Sequence, residues 1–457
     1  MSKFDNIKMP DNLDEVTKKA INRGKKYKKR RKYKKVIAAS TAIICIGSVG
    51  LMNTSFADYI PVLNKITEYF NNNINSQYES DKEDFEKTGT DLNLTTKDKG
   101  IELNIDSVSI DENYITVFHT VKSDKSIEEI IGEKEDAYSA NPILDVYIDG
   151  KNITPPGLIE HEAKYISNNE LKGMRKIDVS NVNIENNTEI EIRTNEIFHV
   201  EGNWSVSLKV DKSKSTEETY VYNIDKDFTI NKEYDNKGKK INVKHEINID
   251  KVTISPLASK IIINEKPVKI SNDWYSTIGN NFALFDEKGN SLDIVDKGGF
   301  AAGPSTKIFT SSVEFLKADK DTKSLTLVPI SQYENIEENM LEPQSIDKLP
   351  IVFKVSDYGS IVVEEIEITD KEIKYTFSKN GVIPYYPSFE FYDEEGNEIQ
   401  VGGRVTESLD RHTGRYTVRL KLDGKNNDIS KIKKISTCSD RDIKLLYDQK
   451  IKINLEK

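Results

Sequence analysis

At 457 residues the chain exceeds what one hydrophobic core supports, which predicts roughly two to four domains. The formal net charge of −10 is unevenly divided: residues 1–35 hold 14 Lys/Arg against 4 Asp/Glu, and the remainder carries −20. A polycationic head on a polyanionic body suggests two compartments rather than one surface for nucleic acid. Two cysteines, Cys45 in an apolar run and Cys438 near the other end of the sequence, exclude a disulfide framework.

Residues 10–24 predict a short helix. Asn12 and Glu15 fit a capping box, and Leu13, Val16, Ala20 and Ile21 fall on one helical face. Gly24 stops it. A helix this short is marginal alone in water, so its apolar stripe calls for a partner or a membrane surface, with Lys18, Lys19 and Arg23 adding attraction to an acidic surface; the plainer alternative is a disordered tail with a chance stripe. Nine of the eleven residues Lys25 to Lys35 are Lys or Arg, and an uncharged apolar run follows from Val36 to Ala57. As a helix that run is about 33 Å long, against a hydrocarbon core of about 30 Å. The basic cluster on its amino side places the head in the cytoplasm and the body outside the cell. Anionic lipid is the counter-charge nearest the cluster, so the bilayer is the expected partner and nucleic acid is not. Cleavage after Ala57 would make the run a signal peptide, but the region before it would be far too long.

Residues 58–90 carry Ile60, Leu63, Ile66, Phe70 and Ile74 at helical spacing and predict a juxtamembrane amphipathic helix that packs on the first outer domain or lies on the bilayer, its Ser/Asp/Glu/Lys-rich end reading as a hinge. From Asp91 the period changes to alternation, and an internal repeat emerges. ILDVYIDGKNI (143–153) returns as FALFDEKGNSLDI (282–294) and FEFYDEEGNEIQV (389–401). In each, a glycine (Gly150, Gly289, Gly396) supplies the positive φ of a tight hairpin. Before each copy lies a longer pair of strands, at 100–121, 241–264 and 359–378, and after each a strand that reads as a closer, at 219–225, 349–355 and 450–455. The expected fold is mainly β: three tandem immunoglobulin-like β-sandwich domains at 91–231, 232–356 and 357–457, behind the head (1–35), one transmembrane helix (36–57) and the juxtamembrane segment (58–90).

Nothing in the sequence points to catalysis, a cofactor or a metal. The hairpins Asp286–Asn290 and Asp393–Asn397 lack the ladder and distal Glu of a calcium loop, and turn chemistry accounts for them. His119, His161, His199, His245 and His412 have no metal-ligand spacing. GGFAAGPS (298–305) lacks the Gly-Lys-Ser/Thr ending of a phosphate loop, and YYPSFEFY (385–392) reads as strand core before it reads as a sugar or partner platform.

The segments IKMPDNLDEVTKKAINRGKKYKKRRK (7–32) and FADYIPVLNKITEYF (56–70), with the single span between them, resemble membrane proteins of Gram-positive bacteria bearing the domain-of-unknown-function family 4179. KVTISPLASKIII (251–263) resembles the strand-rich domain that follows in that family. The resemblance covers most of residues 7–350. It implies an anti-sigma factor or related regulator, with an extracytoplasmic-function sigma factor as cytoplasmic partner and an extracellular ligand or wall component outside. The head lacks the His-x-x-x-Cys-x-x-Cys motif of zinc-type anti-sigma factors. The competing expectation is an anchored surface-binding or adhesion protein whose head serves only topology.

Overall fold

The structure, a computed structural model, describes residues 65–455 except 73–75, 134, 155–159, 237–238, 271–274, 279–280, 299–307, 317, 332–338, 423–428 and 440–442. The head, its expected contact set (Leu13, Val16, Lys18, Lys19, Ala20, Ile21, Arg23) and the apolar run lie outside the described residues. Among the described residues no helix is long and apolar enough to cross a membrane.

The described chain is mainly antiparallel β and repeats one topology three times. In the first unit the strands Gly89–Asp98, Ile101–Ile110 and Tyr114–Ser123 run as a meander. The chain then crosses to a second sheet as Asp145–Ile148 and Lys151–Asn152. It returns as the hairpin Glu160–Ser167/Glu170–Asp178, whose second strand docks beside Tyr114–Ser123. Finally it re-enters the second sheet as Glu189–Ile197. The second unit follows the same path through Tyr220–Asn236, Lys239–Ile254 and Ser259–Glu265, then Phe282–Phe285, then Ile294–Gly298/Phe309–Phe315, then Ser324–Ser331. The third does so through Ile351–Lys354, Gly359–Ile368 and Glu372–Gly381, then Phe389–Tyr392, then Gly403–Asp410/Arg415–Leu422, then Lys434–Ser439.

The repeat extends to a defect. In every unit the second strand carries one residue that the third does not match, and it is acidic each time: Asp106, Asp250 and Glu364. Such a bulge bends and twists the strand locally. The repeated hairpin of each unit lies in its second sheet, and Gly150, Gly289 and Gly396 have φ of 76°, 81° and 91°, as the sequence predicts.

Alternation buries one face of each sheet, and the two faces share a core. Leu103, Val117 and Leu171 meet Val146, Ile192 and Trp204 in the first unit, where the buried Trp204 indole donates to the Ile101 carbonyl at 2.9 Å. Ile249, Ile261 and Val313 meet Leu284, Leu327 and Ile453 in the second, and Val363, Ile373 and Val418 meet Phe391 and Ile435 in the third.

Three expectations need correction. The boundary at 231/232 falls inside the continuous strand Tyr220–Asn236. The boundary at 356/357 is also displaced, because Ile351–Lys354 pairs with Gly359–Ile368 and so opens the third unit instead of closing the second. The strand at 450–455 belongs to the second unit, where Ile451–Asn454 pairs with Ser324–Leu327. Alternation marks a half-buried strand without saying whose sheet it joins.

The juxtamembrane segment packs on the first β unit, one of its two expected placements, but not as a single helix with a hinge. It forms two helices, α1 (Lys65–Asn72) and α2 (Lys82–Thr88), laid on the outer face of the first unit's five-stranded sheet. Ile66, Tyr69, Phe70, Tyr78 and Phe85 pack on Tyr114, Phe118 and Met174 of that sheet and on Leu257 and Ala258 of the second unit. Phe118 meets Tyr69 and Phe85 at ring distances of 5.2 and 5.5 Å. A Cβ on Gly89 would lie 2.5 Å from the backbone oxygen of Phe85 in α2, besides meeting the Ile66 side chain of α1, so the chain leaves room only for glycine there. The Ser/Asp/Glu/Lys-rich end is therefore a packed element and not a hinge: Asp81 and Asp84 are both buried.

Candidate functional site

The charges of that packed element converge with charges from all three β units. Arg411 sits in the turn between Gly403–Asp410 and Arg415–Leu422 of the third unit. Its Nε donates to Glu314 Oε1 of the second unit at 2.8 Å, and its Nη1 donates to Asp81 Oδ2 just before α2. The Arg411 side chain is 17% exposed, Asp81 5% and Glu314 1%. From the first unit, the Tyr114 hydroxyl donates to Glu314 Oε2 at 2.5 Å. Two ammonium groups stand over the Tyr114 ring, Lys176 Nζ at 3.8 Å and Lys260 Nζ at 4.0 Å from its centroid. Lys260, from the second unit, also donates to Asp178 of the first at 2.6 Å. Lys176 donates to Glu160 at 3.0 Å, and Glu160 also accepts from the Tyr78 hydroxyl at 3.2 Å.

Isolated buried charges are costly, and each here is offset by an opposite charge or a hydrogen bond. Burial alone would push the Glu314 carboxyl up, but Arg411, Lys176 and Lys260 together hold it far below the usual carboxylate range. At Asp81 burial prevails over Arg411 and Lys176, and its affinity for a proton rises. On the Arg411 guanidinium, burial is outweighed by Asp81 and Glu314, which keep it charged. Beside it, His412 Nε2 lies 3.1 Å from Asp84 Oδ2, and that hydrogen bond raises the imidazole above its ordinary value. Ser80 Oγ donates to the Leu409 carbonyl at 2.8 Å, fixing the same turn.

A second clasp joins the first two units. The Asp111 carboxylate accepts from Ser255 Oγ at 2.6 Å and the Leu257 amide at 3.1 Å, while the Asn113 amide donates to the Ala258 carbonyl at 2.8 Å. These groups can position and couple elements, because the arginine, lysines, tyrosines and carboxylates are engaged with one another.

The residues singled out by sequence fall elsewhere. In both acidic hairpins the first aspartate closes the turn: Asp286 accepts from the Lys288 and Asn290 amides at 2.9 and 2.8 Å, and Asp393 accepts from the Asn397 amide at 2.8 Å. His119 and His161 come together only through Asn141, at 2.9 and 3.1 Å. His245 is buried against Tyr234 (2.8 Å), and His199 lies beside Glu135 and Glu196. Among the described residues no group of three or more His, Cys, Asp or Glu is placed to hold a metal. In YYPSFEFY, Phe389 and Phe391 pack into the third core against Tyr375, and Tyr386 remains half-exposed over Tyr416. Most of GGFAAGPS lies outside the described residues.

Sequence reasoning missed the junction. Alternation carries no signal for it: Lys260, beside the core residue Ile261, and Glu314, between the core residues Val313 and Phe315, stand on the face that a half-buried strand turns to solvent.

Comparison with known proteins gives two families. Residues 28–123 match the Domain of unknown function (DUF4179), and residues 225–355 match the Family of unknown function (DUF5643). A search of curated proteins finds no match. Among solved structures, the crystal structure of the conserved domain protein from Bacillus anthracis is 16% identical, with a TM-score of 0.34 over 57% of this chain and 83% of that one. The N-terminal eight Ig domains of Down Syndrome Cell Adhesion Molecule are 10% identical, with a TM-score of 0.13 over 80% of this chain and 47% of that one. Neither superposition is close enough to bear on the fold or the function. The two matches agree with the resemblance to the domain-of-unknown-function family 4179 and a following strand-rich domain, and the first of them begins at residue 28, past most of the head segment 7–32.

Proposed function

We propose that the chain is a single-pass membrane regulator. The head, residues 1–35, binds a cytoplasmic partner, an extracytoplasmic-function sigma factor, through Leu13, Val16, Ala20 and Ile21, with Lys18, Lys19 and Arg23 steering the encounter. The run 36–57 spans the bilayer with its amino side in the cytoplasm. The three β units, read as immunoglobulin-like sandwiches, face outward and receive an envelope signal, and they do no catalysis.

The observation that carries this reading is the buried junction. The helical segment next in sequence to the apolar run is held by the first unit's sheet, by the second unit's Leu257 and Ala258, and by Arg411 of the third. Strain on any unit therefore bears on the segment that leads into the membrane. A device of this kind suits transmission, whereas an adhesive module has no need to clamp its own stalk.

The test is affinity capture of the full-length protein from detergent-solubilised cells, beside the double variant Leu13→Asp/Val16→Asp. The wild type should retain a sigma factor and the variant should lose it by about tenfold or more, the equivalent of ~1.4 kcal/mol. Recovery of no cytosolic protein, or equal recovery by both, would favour the anchored surface module.

A further inference from the structure

The fourth strand of each second sheet is supplied in an irregular way. In the first unit Glu189–Ile197 turns directly into Val200–Lys209, which pairs with it along nearly its whole length. Among the described residues of the second unit, none supplies such a neighbour to the equivalent strand, Ser324–Ser331. The place is taken by residues 444–455, which follow the third unit. Lys444 and Leu445 pair with Ser331 and Ile330, the Leu446 amide donates to the Pro329 carbonyl, Ile451–Asn454 pair with Leu327–Ser324, and the Leu455 amide donates to the Lys323 carbonyl. Ile451, Ile453 and Leu455 enter the second unit's core.

The third unit shows the reciprocal arrangement. Beside its equivalent strand, Lys434–Ser439, lie Asn339–Met340 and Gln344–Ser345, which follow the second unit in sequence. Judged by the first unit, the second and third have exchanged their fourth strands. One further contact closes the second unit: the Gln449 side chain imitates a strand, its Oε1 accepting from the Asn231 amide at 2.7 Å and its Nε2 donating to the Asn231 carbonyl at 2.9 Å.

We propose that the slot beside Ser324–Ser331 is a strand-binding site, and that residues 443–455 are its resident ligand in cis. Its ligand class is an extended segment with apolar side chains at alternate positions, of the form Ile-x-Ile-x-Leu, recognised by main-chain hydrogen bonds along the edge and by pockets in the core. The resident is the shorter of the two and is split, with two and then four paired residues against eight along the first unit's strand. It also reaches the slot from another unit, so it can leave without dismantling the strand it pairs with.

The test uses the full chain with a protease cleavage sequence inserted between Ser439 and Ile443. After cleavage the 443–455 segment should stay bound under native conditions and exchange with a fluorescent peptide of the same sequence. A peptide carrying Ile451→Asp and Ile453→Asp should compete about a hundredfold less well. Should the cleaved chain unfold, hydrogen exchange on the uncut chain with the same two substitutions decides the matter: protection of the amides from Ser324 to Ser331 should fall about tenfold or more while that of Glu189–Ile197 is kept. A cleaved chain that stays folded but neither holds nor rebinds the peptide overturns the proposal. So does equal competition by the Asp-bearing peptide, or unchanged protection in the uncut variant.

Discussion

Replacing Arg411 by methionine keeps most of the side-chain volume and removes the charge that three elements share. Truncating one partner of a buried ion pair costs about 3–5 kcal/mol, because the other partner is left buried and uncompensated. Two features of the junction place the expectation near the lower end. Glu314 would keep Lys176 and Lys260 as counter-charges, and Asp81, already inclined to protonate through burial, would take up a proton and neutralise. The loss should therefore be about 3 kcal/mol, and it should appear as opening of the junction before global unfolding, because each β unit keeps its own core. Hydrogen exchange of residues 78–88 reads this directly, and ~3 kcal/mol corresponds to a protection loss of about a hundredfold. Adding Asp81→Asn to Arg411→Met should recover about 1 kcal/mol by removing one stranded acid. A single variant that costs less than about 1 kcal/mol, the worth of an exposed pair, with unchanged exchange at 78–88, would mean that the junction is open or solvated in solution, and the coupling argument would fail.

Two further outcomes follow from named contacts. The raised affinity of His412 for a proton means its pairing with Asp84 contributes fully below the ordinary histidine value of 6.5 and is lost as pH rises through the higher folded value. Exchange at Lys82–Thr88 should therefore speed up, relative to intrinsic rates, between pH 6 and 8 in the wild type and not in His412→Gln; identical profiles would refute the assignment. The readout must be local, because burial holds His119 and His161 down to about 4, and these groups weaken global stability as pH falls. Phe118→Ala should cost about 3–5 kcal/mol and expose α1 and α2 to limited proteolysis, since Tyr69, Phe70 and Phe85 all rest on that ring. Cleavage confined to other segments would show that the helices are held by something else.

Local order was legible wherever one short stretch determines it. Gly150, Gly289 and Gly396 announce their hairpins because only a residue without Cβ takes that backbone cheaply, and the three long strand pairs stand where alternation puts them. Ownership was not legible. Ile451, Ile453 and Leu455 alternate in the same manner whether they line the second core or the third. Asp81 sits in a run of charges that resembles any solvated linker, and what buries it is Arg411, far away in sequence. The cost of burying a charge depends on its partner, and a partner at that separation leaves no local trace.

The exchanged strands also bear on the order in which the chain acquires structure. The first unit holds all of its strands within one continuous stretch, so it can complete itself as soon as that stretch has left the ribosome. The second cannot. Leu327 waits for Ile451, about 120 residues later, and meanwhile presents an open edge and an unfilled apolar slot. During that interval a companion segment in trans, a chaperone or a misregistered strand competes for the vacancy. The price of interlocking two units is thus a window in synthesis when the second is unfinished, and substitutions at Ile451 or Ile453 should lower yield more than their effect on the finished protein would suggest.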